Sequence, residues 1–123
     1  MDHAVLVVED EADLVSTYGR LLRRYRCRMT AAGSRAEGLA ALEAERFSLV
    51  IADLRLPDGD GLDVVRAARA RADGPAVIVV TGFTSAQSRQ QAVEAGATAY
   101  LAKPFSTLVL ASLIQGVLRQ PPT

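Results

Sequence analysis

The chain has 123 residues, half of them apolar, which is enough for one domain with a buried core and too few for two ordinary domains. Fourteen Lys plus Arg balance fourteen Asp plus Glu, which argues against binding nucleic acid or an anionic membrane through the domain's overall charge. The single cysteine, Cys27, excludes an internal disulfide framework and a cysteine-based zinc site. Because the sequence carries neither a signal-peptide pattern nor an apolar run of membrane-spanning length, we expect a cytoplasmic protein.

Four short apolar runs predict the strands of a parallel sheet. They cover 4–8, 48–52, 76–80 and 97–101, and the first three are rich in Val, Ile and Leu. Strands that are buried on both faces have this composition, as in sheets covered by helices on both sides. A weaker run at 27–32 contains Cys, Met and Thr, and it predicts an edge strand that is second in chain order.

Residues with helical spacing fill the intervals between and after these strands. They predict five helices, which cover about 14–25, 35–46, 62–73, 86–95 and 107–118. Ser34 and Glu37 have the spacing of a capping box, and Ser106 is a candidate cap for the last helix. Five alternations of strand and helix predict a three-layer α/β fold with a parallel sheet. Residues 120–123 resemble a tail or the start of a linker.

Polar side chains follow four of the predicted strands, at or near the point where each strand ends. Glu9 and Asp10 follow the first strand, Asp53 the third and Thr81 the fourth, while Lys103 comes shortly after the fifth. In open parallel sheets, ligands bind beyond the carboxyl ends of the strands. We therefore expect these five side chains to line one crevice.

The three acids of this set indicate a metal site. Acids are also favoured at the start of a helix, so Glu9 and Asp10 alone are open to interpretation as helix caps. With Asp53 beside them, like charges about 4 Å apart cost on the order of 4 kcal/mol at an effective dielectric of roughly 20. The cluster therefore needs a cation or a proton, and ligation by oxygen alone favours Mg²⁺.

Beyond metal binding, the residues of this crevice suit phosphoryl transfer. A carboxylate beside Mg²⁺ can attack phosphorus, so Asp53 is a candidate nucleophile that would become an aspartyl phosphate; its alternative is a solvated loop acid. Lys103 is a candidate partner for the carboxylates and then for a phosphoryl oxygen, and Thr81 is a candidate donor to that oxygen. Taken singly, these two would be read as a surface lysine and an ordinary strand-end threonine.

Together, these residues resemble the receiver domain of two-component response regulators over almost the whole chain. The matching segments are 6–11, 53–61, 80–82 and 96–105, in that order. The resemblance implies a doubly wound five-stranded parallel sheet of order 2-1-3-4-5 flanked by five helices, a flavodoxin-like receiver fold. It also implies that residues 1–119 form the receiver domain.

The resemblance assigns a role to each site residue. Asp53 would be the phosphoacceptor, and Asp10 and Asp53 would bind Mg²⁺ directly. Glu9 would assist largely through water, and the backbone carbonyl of Arg55 would complete the protein ligands. Lys103 would contact the phosphoryl group, and the Lys103–Pro104 peptide bond would be cis.

The function implied is a phosphorylation-dependent signalling switch. A sensor histidine kinase or a histidine phosphotransfer protein would supply the phosphoryl group, and the domain would catalyse only its own phosphorylation and dephosphorylation. Thr81 would move toward the phosphate and Tyr100 would rotate into the vacated space, which changes the surface of the fourth helix, fifth strand and fifth helix. The alternative for Tyr100 is a strand residue whose hydroxyl lies at the surface. No direct contact with nucleic acid or membrane is expected.

Two features of this chain add further expectations. Phe83, two residues after Thr81, cannot orient a water molecule and its ring would shield the phosphorus, so we expect slow autodephosphorylation. The fifth helix is more apolar than one buried stripe requires, and Arg119 is the only charged residue after Lys103. This pattern predicts an apolar contact face that includes Val109, for a homodimer or another partner. The alternative is a helix that its neighbours simply cover.

Two other functions use related chemistry. A Mg²⁺-dependent phosphatase of the haloacid-dehalogenase type also has an Asp nucleophile, but it requires an acid two residues later, where this chain has Arg55. A flavodoxin-like cofactor binder requires a phosphate loop rich in glycine and hydroxyl groups after the first strand. The acids at 9–11 would repel phosphate there instead. The phosphatase is the closer alternative.

Overall fold

Strands and helices alternate five times along residues 3–118, the part of the chain that this computed structural model describes. The strands of the main sheet are β1 (His3–Val8), β2 (Cys27–Ala32), β3 (Leu49–Ala52), β4 (Ala76–Thr81) and β5 (Ala99–Ala102). The helices are α1 (Ala12–Arg23), α2 (Arg35–Ala44), α3 (Leu62–Arg69), α4 (Ala86–Glu94) and α5 (Thr107–Leu118). A small antiparallel hairpin after β3 pairs Arg55–Leu56 with Gly59–Asp60.

The main sheet is parallel and has the order β2-β1-β3-β4-β5, which confirms the predicted fold. Its order reverses at β1, the strand that pairs with both β2 and β3. Val8 lies opposite Ala52 in the β1–β3 register, and the Asp53 N–H donates to the Val8 carbonyl at 3.0 Å. The residues that follow β1 and β3 therefore leave the sheet side by side.

Both faces of the central strands are buried, as their uninterrupted apolar composition predicts. Leu6 and Val50 face a core built with α2, α3 and α4. Val5 and Ile51 face a second core built with α1 and α5. Successive residues of a strand point to opposite faces, so β1 and β3 supply both cores at once. This packing fixes the strand ends that carry the polar residues.

The predicted caps are present in slightly altered form. The Ser34 hydroxyl accepts a hydrogen bond from the Glu37 N–H at 3.1 Å, but the Glu37 carboxylate accepts from Gly33 rather than from Ser34. The Ser106 hydroxyl accepts from the Leu108 N–H at 3.2 Å. Helix α2 ends at Ala44, two residues before the predicted end.

Strand β5 begins two residues later than the sequence predicts. The Ala97 N–H donates back to the carbonyl of Ala92, and the Thr98 hydroxyl accepts from the Val77 N–H at 3.0 Å. Residues 97 and 98 are therefore used in the turn that leads from α4 into the sheet. The turn requires glycine at Gly96, where φ is 103° and a Cβ would lie 2.9 Å from Arg69 Cγ.

Within residues 3–118, no helix combines the length and the apolar character that crossing a bilayer would need. Arg119 and the predicted tail at 120–123 lie outside the described residues, so the domain boundary at residue 119 stays a prediction.

Candidate phosphorylation site

The ends of β1 and β3 bring three carboxylates together. Oxygens of Glu9, Asp10 and Asp53 all lie within 4.8 Å of one another. Glu9 and Asp53 are only 2% and 7% exposed, whereas Asp10 is exposed to solvent. A set of oxygen ligands with one open side suits a hard divalent cation that keeps part of its water shell, and Mg²⁺ has this preference. These residues therefore fit the predicted metal.

Lys103 is the internal counter-ion of this cluster. Its ammonium nitrogen lies 2.7 Å from Asp53 Oδ2, 2.9 Å from Glu9 Oε1 and 3.3 Å from Glu11 Oε1. Lys103 is the only lysine of the chain, and its side chain is 14% exposed. The Lys103–Pro104 peptide bond is cis, as the resemblance implies.

Burial and pairing act against each other in the cluster. Burial raises the pKa of Glu9, and the hydrogen bonds from Lys103 and from the Glu11 N–H only partly offset that rise. Burial lowers the pKa of Lys103, but its hydrogen bonds to Asp53 and Glu9 outweigh this effect and raise the pKa above its ordinary value. Lys103 is therefore held as a cation among several carboxylates, and the cluster keeps excess negative charge.

The acids do not act as helix caps. Helix α1 has Glu11 as its N-cap residue, and the Glu11 carboxylate accepts no hydrogen bond from the N–H groups of the first turn. The Glu9 carboxylate accepts from the Glu11 N–H at 3.1 Å, before the helix begins. Of the two interpretations of Glu9 and Asp10, the geometry favours a metal site. The contact between Glu11 and Lys103 was not predicted, although an acid directly after Asp10 was a signal for it.

The loop after β3 holds the Asp53 side chain at the mouth of the site. Asp53 Oδ1 accepts a hydrogen bond from the Arg55 N–H at 3.1 Å. The loop then closes tightly, because the Gly61 N–H donates to the Leu54 carbonyl at 2.8 Å. A Cβ at Gly61 would lie 1.9 Å from the Asp53 carbonyl oxygen, so only glycine fits there. A cavity of about 340 Å³ opens beside Asp53 and is also lined by Thr81 and Lys103.

Thr81 and Tyr100 meet at the loop between β4 and α4. Thr81 is buried, and its hydroxyl accepts a hydrogen bond from the Phe83 N–H at 3.1 Å. The Tyr100 hydroxyl donates to the Phe83 carbonyl at 3.4 Å and lies 3.2 Å from the Ser88 hydroxyl. Tyr100 is thus half-buried and its hydroxyl is hydrogen-bonded to this loop, while its role as a switch residue stays a prediction. Sequence reasoning missed Ser88, whose position on α4 carries no motif.

Two flanking residues also lie together. The Arg55 guanidinium carbon is 3.8 Å from the centre of the Phe83 ring, which is a cation–π contact. The sequence placed each residue two positions after a site residue, but it did not show that they touch.

Comparison with known sequences gives matches to one family. The response regulator receiver domain profile matches residues 5–115. The acid tolerance regulatory protein ActR of Rhizobium meliloti is 37% identical over 124 residues, which cover 98% of this chain and 64% of ActR. The sensory transduction protein RegX3 of Mycolicibacterium smegmatis is 38% identical over 95% of this chain and 51% of RegX3. The chain therefore spans less than two thirds of the length of these curated relatives.

Solved receiver domains superpose closely. A CheY-like receiver domain protein from Methanospirillum hungatei gives a TM-score of 0.89 at 30% identity, covering 96% of this chain and 94% of that one. The receiver domain of the sensor histidine kinase PA1611 from Pseudomonas aeruginosa gives 0.83 at 28% identity, covering 96% and 98%, and that structure has magnesium in its active site cleft. The chain belongs to the response regulator receiver domain family and is a phosphorylation-dependent signalling domain.

Proposed function

We propose that Asp53 accepts the phosphoryl group from a phosphohistidine, and that Glu9, Asp10, Asp53 and the carbonyl of Arg55 hold Mg²⁺ beside it. The observation that carries this proposal is the position of Lys103, whose ammonium group bridges buried Glu9 and Asp53. The nucleophile of this reaction is a carboxylate, and the ammonium group beside it is placed to neutralise charge on the phosphoryl oxygens as they arrive. When bound, Mg²⁺ supplies positive charge that offsets the phosphoryl oxygens.

Phosphoryl transfer to Asp53 exchanges one bond for another. A carboxylate oxygen of Asp53 forms the new bond to phosphorus while the bond between phosphorus and the donor imidazole nitrogen breaks. The electron pair of the broken bond leaves with the imidazole. Lys103 then contacts a phosphoryl oxygen, which needs little movement because its nitrogen already lies 2.7 Å from Asp53 Oδ2.

Thr81 and Tyr100 respond to the phosphoryl group by changing their hydrogen bonds. The Thr81 hydroxyl, which accepts from the Phe83 N–H at rest, rotates to donate to a phosphoryl oxygen. This rotation removes one restraint on the loop that binds the Tyr100 hydroxyl. The surface formed by α4, β5 and α5 then changes. The phosphorylated side chain carries about −1.5 to −2 charges in place of the single charge of the carboxylate, and it adds acceptor oxygens to which these groups can respond.

The partners follow from this role. The donor is a sensor histidine kinase or a histidine phosphotransfer protein, and a homodimer through α4, β5 and α5 is the second proposed contact. Leu108 and Val109 support a contact at α5, since they are 82% and 48% exposed, whereas Leu110 and Ile114 are buried in the core. The exposed apolar area is therefore narrower than the helix composition alone predicts. A cytoplasmic location stays a prediction.

Catalysis is limited to the domain's own phosphorylation and dephosphorylation. The phosphatase alternative has no support, because Arg55 stands where a general acid would be needed and its guanidinium lies against Phe83. A phosphatase would release phosphate through many turnovers per chain. Under this proposal, the phosphorylated chain releases its single phosphoryl group slowly.

Intact-mass spectrometry after incubation with acetyl phosphate and Mg²⁺ tests the proposal. The wild-type chain is expected to gain the mass of one phosphoryl group, and chelation of Mg²⁺ should prevent the gain. Asp53→Asn should abolish it, while Asp60→Asn, in the same loop, should retain it. Labelling of the Asp53→Asn variant to the wild-type level would refute the assignment of the acceptor.

A further inference from the structure

Phe83 is the residue at which the acceptor loop, the buried threonine and α4 meet. Its N–H donates to the Thr81 hydroxyl at 3.1 Å. Its carbonyl accepts from the Ser88 hydroxyl at 3.1 Å and from the Tyr100 hydroxyl at 3.4 Å. Its ring is half-exposed and stacks against Arg55, whose guanidinium carbon lies 3.8 Å from the ring centre. Four separate restraints therefore act on one loop residue.

The contact between Arg55 and Phe83 also separates two cavities. Both residues line the cavity of about 340 Å³ that contains Asp53 and Lys103. Both also line a neighbouring cavity of about 510 Å³, between the hairpin and α4, which contains Ser88. The pair thus stands between the acceptor and the helix whose surface the switch would change. No ion pair to Arg55 occurs among residues 3–118, so the aromatic ring holds its guanidinium.

We propose that Arg55 is a second phosphate-sensing residue beside Thr81, and that its stacking on Phe83 holds the β4–α4 loop in place until Asp53 is phosphorylated. This proposal rests on the proposed function, because it takes Asp53 as the acceptor. It assigns the Arg55 side chain a positioning role, separate from the carbonyl that would help to hold Mg²⁺.

The physical basis is that the Phe83 ring and a phosphoryl oxygen on Asp53 would compete for the guanidinium of Arg55. An exposed cation–π contact is weak, whereas a hydrogen bond between a guanidinium and a phosphoryl oxygen is charge-assisted and stronger. Arg55 is exposed and its backbone N–H already bonds Asp53 Oδ1, so its side chain starts next to the position of the phosphoryl group. A phosphorylated Asp53 would draw Arg55 off the ring and the Thr81 hydroxyl off the Phe83 N–H. Two of the four restraints on Phe83 then disappear together.

Amide hydrogen exchange at residue 83, measured by NMR on the full chain, tests the resting contact. Loss of an exposed cation–π contact should lower the protection factor roughly two- to fivefold. We expect this decrease for Arg55→Met, which keeps an apolar stem over the ring without the charge, and for Phe83→Leu. The double variant should lose no more than either single variant, because both remove the same contact. Additive losses, or wild-type protection in Arg55→Met, would overturn the proposal.

Phosphorylation with acetyl phosphate tests the sensing step, with phosphoryl incorporation read separately by mass. Phosphorylation of the wild-type chain should lower the protection factor at residue 83. This decrease should be larger than the one that Arg55→Met causes in the unphosphorylated chain. In Arg55→Met, phosphorylation should lower the protection factor at residue 83 two- to fivefold less than it does in the wild-type chain. Arg55→Lys, which keeps the charge, should respond more like the wild type. An equal decrease in all three chains refutes the sensing role. If the wild-type chain gains no phosphoryl group, the proposed function and the sensing step both fail, while the resting measurements still decide whether the pair restrains the loop.

Discussion

Replacing the single lysine tests the electrostatic account of the site most directly. Lys103→Met keeps most of the length of the side chain and removes its charge. The carboxylates of Glu9 and Asp53 would then remain buried without their counter-ion. We expect a large loss of stability at neutral pH. Mg²⁺ and pH should change the size of this loss, whereas they would not change the effect of a purely steric defect.

The magnitude follows from the distances. At an effective dielectric of roughly 20, each contact at the observed 2.7 and 2.9 Å is worth about 6 kcal/mol of Coulomb attraction. Desolvation of the charges cancels much of that attraction, and removing one partner of a buried pair costs about 3–5 kcal/mol net. Domains of this kind have unfolding free energies of about 5–15 kcal/mol, so the variant would lose a substantial share of its stability.

Urea unfolding followed by circular dichroism at pH 7 measures this loss. Addition of Mg²⁺ should restore part of the stability, because a cation that binds only the folded site adds its binding free energy. Acidification should also narrow the difference from wild type, since protonated carboxyls need no counter-ion. The matched control is Arg28→Met, which breaks an ion pair of 2.8 Å to Glu45 on the surface and should cost about 1 kcal/mol or less. Wild-type stability of Lys103→Met without Mg²⁺ would refute the reasoning.

Three further predictions concern the site. Phe83→Ala should shorten the lifetime of the phosphorylated chain several-fold, because Phe83 lines the cavity beside Asp53 and its ring would no longer restrict the access of water; the decay of the phosphorylated mass measures this. Gly61→Ala should destabilise the fold by about 3 kcal/mol or more in urea unfolding, because its Cβ would lie 1.9 Å from the Asp53 carbonyl oxygen. The folded state raises the pKa of Glu9 above 4.5, so it binds a proton more tightly than the unfolded state does. Stability should therefore fall as pH rises from 4.5 through the folded pKa, and Glu9→Gln should remove that decrease in thermal unfolding.

The sequence predicts the fold well because one physical rule governs the central strands. Runs such as 49–52 are apolar at every position, and only a sheet covered on both faces buries every residue of a strand. Once the strands are parallel, their carboxyl ends lie at one edge. The meeting of Glu9, Asp53 and Lys103 also depends on the strand order, which the resemblance to receiver domains implied and the sheet confirms. The start of strand β5 was predicted two residues too early, because it depends on how the turn after α4 closes from Ala97 to Ala92 and on the hydrogen bond that Thr98 accepts from distant Val77.

The contacts that were missed depend on side-chain direction rather than on position in the chain. The pairing of Lys103 with Glu11, of Arg55 with Phe83 and of Ser88 with Tyr100 each joins flexible side chains or a loop to another element. Sequence spacing places such residues near the site, but rotamers and loop paths decide which of them touch. The roles of the site residues, including the response of Thr81 and Tyr100, could therefore be proposed from the resemblance, whereas the contacts of Phe83 with Thr81 and Arg55 required the structure.

The energetics of the site imply that no single contact suffices to operate the switch. Converting the Asp53 carboxylate to a phosphoryl group adds only about −0.5 to −1 charge. At about 5 Å and an effective dielectric of roughly 20, this added charge changes each interaction with a neighbouring unit charge by about 2–3 kcal/mol. Moving a population from about 1:99 to 99:1 requires about 5.5 kcal/mol. A single interaction of this size is therefore too small. Lys103 already lies 2.7 Å from Asp53 at rest, so the groups that change position on phosphorylation must supply the difference between the two states. Because Thr81 and Arg55 both contact Phe83, their responses add at a single loop residue, and that residue holds Tyr100.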